Sequence, residues 1–214
     1  LPSTRAIALF IAAVRQPARF VSALQSASRK NIPVIALKAA RTAESAKMAA
    51  THSAAIAGDD AAFQAVCDKY GVCRVTNLDE LTATAQLFAS GKKPRQGGLG
   101  WLTDSGGLRE LMMDLASDRA IPIAALSPSS VHALSGILPH GLAPVNPIDA
   151  AGPLDDGFAS VFEKCLDVLL KDDGVALAGF EFEVRDDFVY QPQLLNVCEA
   201  AAARHRKPFF VVHS

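Results

Sequence analysis

Cysteine is scarce: Cys67, Cys73, Cys165 and Cys198 are the only four in 214 residues. They lack close ligand spacing, which argues against a zinc ribbon or a disulfide scaffold and favours a reducing compartment. Long apolar runs are missing as well. None approaches the roughly 18 to 20 residues that span a bilayer, and Leu1 to Arg5 does not resemble a secretory signal, so a cytoplasmic chain with no membrane partner is expected. Excess charge of either sign is absent. Lys and Arg total 21 against 22 Asp and Glu, which removes the electrostatic case for nucleic acid as a partner. No solenoid-type repeat recurs. There is no initiator Met and an apolar strand opens almost at once at Ile7, which predicts a piece of a longer protein.

What is present is an ordinary globular composition, 50% hydrophobic and 20% charged, with material for one large domain or two small ones. Ile7 to Ile11 is a short apolar run, and Phe20, Val21, Leu24 and Ala27 follow at helical spacing. Ile32 to Leu37 is apolar without polar alternation, as in a strand covered on both faces. From Lys38 to Gly58 the residues are small and polar, and Thr51 to Gly58 reads as a loop. Asp59 and Asp60 then suit the start of a helix carrying Phe63, Val66, Cys67 and Tyr70, with Gly71 at its end. Val72 to Val75 reads as a strand, and Thr76-Asn77 as the cap of a helix with Leu78, Leu81 and Leu87.

The segment Gly91 to Gly98, rich in charge, Pro and Gly, marks a boundary between halves at about residues 1–93 and 94–214. In the second half strands are expected at Leu99 to Thr103, Ile121 to Leu126, Val175 to Phe182 and Phe209 to Val212. Helices are expected at Leu108 to Ala116, Ser129 to Ile137, Phe158 to Leu170 and Gln193 to His205. This rhythm predicts an α/β protein of two flavodoxin-like, doubly wound domains with mainly parallel sheets.

Such sheets bind ligands beyond the carboxyl ends of their strands, and three loops there carry chemistry. In Thr103-Asp104-Ser105-Gly106-Gly107 the glycines admit a close ligand and the following helix start offers N–H donors, so Ser105, Gly106 and Gly107 suit a phosphate. The same spacing equally suits a tight turn capped by Ser105. In Thr51 to Gly58 a single imidazole, His52, stands among small residues; it is available as a neutral nucleophile or as a helix cap. In Val145 to Gly152, Pro147 fixes a turn while Asn146 and Asp149 are able to bond local backbone or a substrate. The other histidines, His132, His140, His205 and His213, lack paired spacing, so no metal site is assigned. Glu181, Glu183, Arg185, Asp186 and Asp187 read as a solvated strand end.

These loops together resemble the NDP-forming acyl-CoA synthetases, relatives of succinyl-CoA synthetase. Thr51-His52-Ser53-Ala54-Ala55-Ile56-Ala57-Gly58 is similar to that family's Ser-His-Thr/Ser-Gly-Ala-Leu/Ile-Ala-Gly segment, and Gly71-Val72-Cys73-Arg74-Val75 follows in the family's order. Ile35-Ala36-Leu37-Lys38 resembles its apolar run ending in Lys. Thr103 to Gly107 resembles its Thr-Asn-x-Gly-Gly turn with Asp104 in place of Asn, and Asn146-Pro147-Ile148-Asp149 resembles Asn-Pro-x-Asp. The resemblance implies two CoA-ligase domains, the first incomplete at its start and the second at its end. It implies interconversion of a carboxylic acid, CoA and ATP or GTP with acyl-CoA, ADP or GDP, and phosphate, through phosphorylated His52. CoA, the nucleotides and Mg enter as co-substrates, with no tightly bound cofactor. CoA-binding and ATP-grasp domains or a further subunit are the implied partners, without which the fragment is expected to be inactive. His52 should meet Ser105 to Gly107 where the halves face each other.

Two departures favour a rival reading. The family has Glu where this chain has Ala12, and Gly where it has Ala54. In a comparable catalytic triad, spoiling the orienting carboxylate costs about 10⁴ in rate, or about 5 kcal/mol. Ala12 thus also fits a degenerate regulatory ligase module, such as those attached to some protein acetyltransferases. A pair of small-ligand-binding domains, with His52 only a cap, is a third reading.

Overall fold

A computed structural model describes residues 3–53, 59–153, 155, 157–182 and 191–213, the side chains of 50–53 and 213 excepted. The chain forms two compact units, Leu1–Gly91 and Lys92–Ser214. Both are α/β, with parallel sheets.

The first unit runs β1 (Ile7–Ile11), α1 (Pro17–Arg29), β2 (Val34–Lys38), α2 (Ala43–Ser53), α3 (Asp60–Tyr70), β3 (Cys73–Val75) and α4 (Leu78–Ala89). Its sheet has the order β1-β2-β3. All five residues of the central strand β2 are buried, and their alternation feeds two separate cores. Val34 and Ala36 join Leu24 of α1 and Phe63 and Cys67 of α3, whereas Ile35 and Leu37 join Val75 and Leu81 of α4. Helices therefore cover both faces, the signature of a doubly wound sheet. Pro17 opens α1, where its missing N–H costs nothing. Asp59 caps α3 through Ala61 and Ala62 N–H, and Gly71 ends it at φ +64°, a conformation costly for residues with a Cβ. Asn77 caps α4 as expected.

One sequence expectation fails here. Residues 43–53 form α2, so the first three residues of the expected loop, Thr51 to Ser53, are helical. Thr42 and Ser45 exchange backbone-to-hydroxyl hydrogen bonds at 3.1 and 3.2 Å, fixing the helix start. The helix that reaches Thr51 to Ser53 is rich in alanine, including Ala43, Ala46 and Ala49, and alanine is the strongest helix former.

The second unit runs β4 (Gly98–Thr103), α5 (Gly106–Asp118), α6 (Pro128–Ser135), β5 (Ile148–Asp149), α7 (Phe158–Lys171), β6 (Val175–Phe182), α8 (Gln191–Arg204) and β7 (Phe209–His213). The strand order is β5-β4-β6-β7. Phe162, Leu166 and Leu169 of α7 are fully buried with Ala178, Phe180 and Phe182 of β6, and the Phe162 and Phe180 rings stack at 5.6 Å. Gly179 lies beneath the Trp101 ring, where a Cβ would come within 2.3 Å of Cζ3.

The strand expected at Ile121 to Leu126 reduces to one bridge, Leu99 with Ile123. Pro122 accepts from Leu99 N–H through its carbonyl but has no N–H to return. At the next rung, between Trp101 and Ala124, a side chain takes the place of a direct ladder bond. Asn146 accepts from Trp101 N–H at 2.8 Å and donates to Leu99 and Ala124 carbonyls at 2.8 and 2.9 Å. Just beyond it, the two-residue β5 pairs with Leu102 and Thr103.

Candidate functional site

In the second unit the expected phosphate turn sits at the carboxyl end of β4. Ser105 is the N-cap of α5, its Oγ accepting from Leu108 N–H at 3.4 Å, while Ser105 N–H donates to Thr103 Oγ1 at 3.2 Å. The first amides of a helix have no partner within it and carry part of its dipole. No acidic residue occupies the first turn of α5.

The two glycines differ. A Cβ on Gly106 would lie 3.2 Å from Asp149 Oδ2, whereas one on Gly107 would meet nothing nearer than Ser105 Oγ at 4.0 Å. Gly106 is therefore where main chain and a carboxylate come close, and Gly107 is the open side of the turn. Asp149 is buried, and its Oδ1 accepts from Ala151 N–H at 2.9 Å. The structure thus brings Asp149 to the start of α5, while Asn146 spends both amide donors on backbone carbonyls.

Glu181 escaped the sequence reading, which placed it at a solvated strand end. It is only 8% exposed and pairs in register with Thr103. Burial pushes its carboxyl above the ordinary range, and the charge of Asp104 adds to that. The missed signal was its place at the end of the apolar run Val175 to Phe180. Glu183, Arg185, Asp186 and Asp187 lie outside the described residues. Acids thus stand at three strand ends here: Asp104 directly after β4, Asp149 at the end of β5 and Glu181 near the end of β6. Among the described residues no group of three or more His, Cys, Asp or Glu is arranged to hold a metal ion. No described helix is long and apolar enough to cross a membrane.

In the first unit His52 stands in the last turn of α2. Its side chain lies outside the described residues, as do residues 54–58, so the expected meeting of His52 with Ser105 to Gly107 falls outside them too. Ala12, directly after β1, is half-buried and offers no side-chain acceptor.

At the carboxyl end of β2, Lys38 is almost wholly buried, and its Nζ stands 3.6 Å from Asp60 Oδ1. The same oxygen accepts from Arg74 Nη2 at 2.6 Å, and Arg74 Nη1 donates to Gln64 at 2.8 Å. Burial raises the Asp60 carboxyl, but the hydrogen bond and charge of Arg74, joined by Lys38, outweigh it and hold the group below the usual carboxylate range.

Comparison with known proteins gives a consistent family. Residues 1–88 match the succinyl-CoA ligase like flavodoxin domain. ADP-forming acetate–CoA ligase I of Archaeoglobus fulgidus is 29% identical over 173 residues, covering 81% of this chain and 24% of that protein. The α subunit of ADP-forming acetate–CoA ligase II of Pyrococcus furiosus is 30% identical over 145 residues, 68% of this chain and 31% of that subunit. The chain thus spans about a quarter to a third of the length of these relatives. The fold matches that of the Ca. Korarchaeum cryptofilum dinucleotide-forming acetyl-coenzyme A synthetase 1, solved with phosphate and ADP. The TM-score is 0.80 at 22% identity, over 99% of this chain and 45% of that one.

Proposed function

We propose that this chain, which belongs to the superfamily of NDP-forming acyl-CoA synthetases, is the ligase portion of an enzyme that uses His52 as a transient phosphoryl carrier. Residues 1–93 and 94–214 are its two ligase domains. The observation that carries this reading is similarity to ADP-forming acetate–CoA ligases over 81% of the chain. That similarity is joined to a glycine-containing turn with helix N-terminal amides at the start of α5.

In the proposed cycle phosphate displaces CoA from acyl-CoA and leaves an acyl phosphate. The Nε2 lone pair of His52 attacks phosphorus, the bond from phosphorus to the acyl oxygen breaks, and the carboxylate departs. The phosphoryl group then passes from nitrogen to the terminal phosphate oxygen of ADP or GDP, regenerating the imidazole. The amides at Ser105 to Gly107 bind the phosphoryl oxygens through N–H donors and the α5 dipole. CoA-binding and ATP-grasp domains complete the reaction, and Mg accompanies the nucleotide as co-substrate.

A second reading has specific support. Ala12 follows β1 where the family resemblance places Glu, and it cannot orient an imidazole. A ligase module kept for ligand-dependent regulation needs no such carboxylate. Full-length protein supplied with acid, CoA and ATP or GTP separates the two. Acyl-CoA formation that is lost in His52→Ala supports the enzyme, whereas a ligand-induced rise in Tm without product supports the regulator.

A further inference from the structure

In the second unit the loops that lead into the strands concentrate positive charge, although the whole chain is nearly balanced. β4, β6 and β7 run parallel, so their amino ends lie together at the edge opposite the α5 turn. Lys93 and Arg95 precede β4 there, Lys171 precedes β6, and Arg206 and Lys207 precede β7. These five line one cleft of about 650 Å³, in which Asp173 is the single acid among the described residues.

Most of this charge is unspent inside the protein. Lys93, Arg95 and Arg206 are exposed and form no ion pair among the described residues. Lys171 makes only an exposed pair with Asp167 at 3.7 Å, which is weak. Lys207 is half-buried and donates to the Asp172 carbonyl, using one of its three N–H donors. Burial holds its ammonium below the usual lysine range and the charge of Arg95 adds to that, against the pull of Asp172 and Asp173. Cations thus repel one another across a concave site, and a cleft of one sign focuses the field on an incoming anion. The apolar floor offers a ligand little, because Leu170, Val175, Ala176 and Pro208 are themselves buried and no described aromatic ring lines the cleft.

We propose that this cleft binds an inorganic condensed phosphate such as tripolyphosphate, gripped by Lys93, Arg95, Arg206 and Lys207. Successive phosphoryl groups share a bridging oxygen, so their negative charge is as closely grouped as these cations, and a guanidinium meets each phosphate through two parallel hydrogen bonds. In an extended acidic peptide the carboxylates on one face recur only about every 7 Å. A nucleotide would add a base with no apolar or aromatic face to rest on. The site stands apart from the α5 turn and requires nothing of His52.

Tripolyphosphate titrated calorimetrically into the 214-residue chain in metal-free buffer tests the assignment, with orthophosphate, ATP and hexaglutamate as the competing probes. Tripolyphosphate should bind saturably, at least about tenfold more tightly than orthophosphate or hexaglutamate, and ATP should bind no more tightly than tripolyphosphate. Arg95→Gln and Arg206→Gln should each weaken it about tenfold or more, because charge-assisted hydrogen bonds are lost. Both side chains are exposed, so both variants should keep the parent's Tm. Gly107→Asp, which places a carboxylate on the open side of the α5 turn, should bind tripolyphosphate as the parent does. The assignment is overturned if tripolyphosphate shows no saturable binding, if orthophosphate or hexaglutamate binds as tightly, or if ATP binds more tightly. It is equally overturned if either arginine variant binds as the parent does, or if Gly107→Asp abolishes binding.

Discussion

Asn146→Ala is the sharpest test of how the second unit is built. The side chain makes three hydrogen bonds to the main chain of β4 and of the segment beside it. Leu99 O also accepts from Ala124 N–H at 3.0 Å, so its loss is partial. Trp101 N–H and Ala124 O lose the partner that Asn146 supplied. Leaving a buried polar group unpaired costs about 1–3 kcal/mol, so the variant should lose about 3–5 kcal/mol. The assay is built in, because Trp101 is the only tryptophan in the chain and sits on the strand being stitched. With a urea slope of about 2 kcal/mol/M, its fluorescence midpoint should fall by about 2 M. Asn146→Asp retains the acceptor for Trp101 N–H but turns an anion toward two carbonyl oxygens. It should be no better at neutral pH and should recover as pH falls, because a carboxyl raised above its unfolded pKa destabilises most when ionised. A midpoint within about 0.3 M of the parent for Asn146→Ala, well below one hydrogen bond's worth, would refute the stitching role.

Three further outcomes are expected. Burial pushes the Asp172 carboxyl up, but hydrogen bonds from Ser130, Ser127 and Gly174 outweigh it and hold the group below its ordinary value of 3.8. Its stabilisation is therefore complete above that value and lost as pH falls through the lower folded pKa, so Asp172→Asn should be less stable at pH 7 and show a flatter acid limb in thermal melts. Gly179→Ala must displace the Trp101 ring and should cost about 2 kcal/mol or more, read as a lowered Tm with altered Trp101 emission. Ala12→Glu in the full-length protein should raise the rate of His52 phosphorylation in rapid-quench assays; an unchanged rate would show that position 12 does not orient the imidazole.

Much of the fold is legible in local pattern. The apolar runs of β2, β4 and β6 lack alternation because both faces are covered, and Asp59, Gly71, Asn77 and Ser105 mark helix ends by chemistry that operates locally. What escapes the sequence depends on partners distant along the chain. The run Ile121 to Leu126 looks like a strand until Asn146 is seen to stand between Trp101 N–H and the Ala124 carbonyl. Glu181 reads as solvated because only the sheet register places it beside Thr103. Asp149 gains its place against Gly106 only once β5 pairs with β4. Conversely, Thr51 to Ser53 read as a loop by their small polar side chains, whereas the alanines before them carry α2 through these residues. At the site, the α5 turn was readable as a capped helix start, whereas the approach of a carboxylate to it was not.

The central claim is that His52 carries a phosphoryl group. Full-length protein incubated with γ-phosphate-labelled ATP, quenched in alkali and digested, should yield a phosphopeptide whose acid-labile label maps by mass spectrometry to His52. His52→Ala should carry none. Acid-labile label persisting in His52→Ala, or mapping to another residue, would contradict the account.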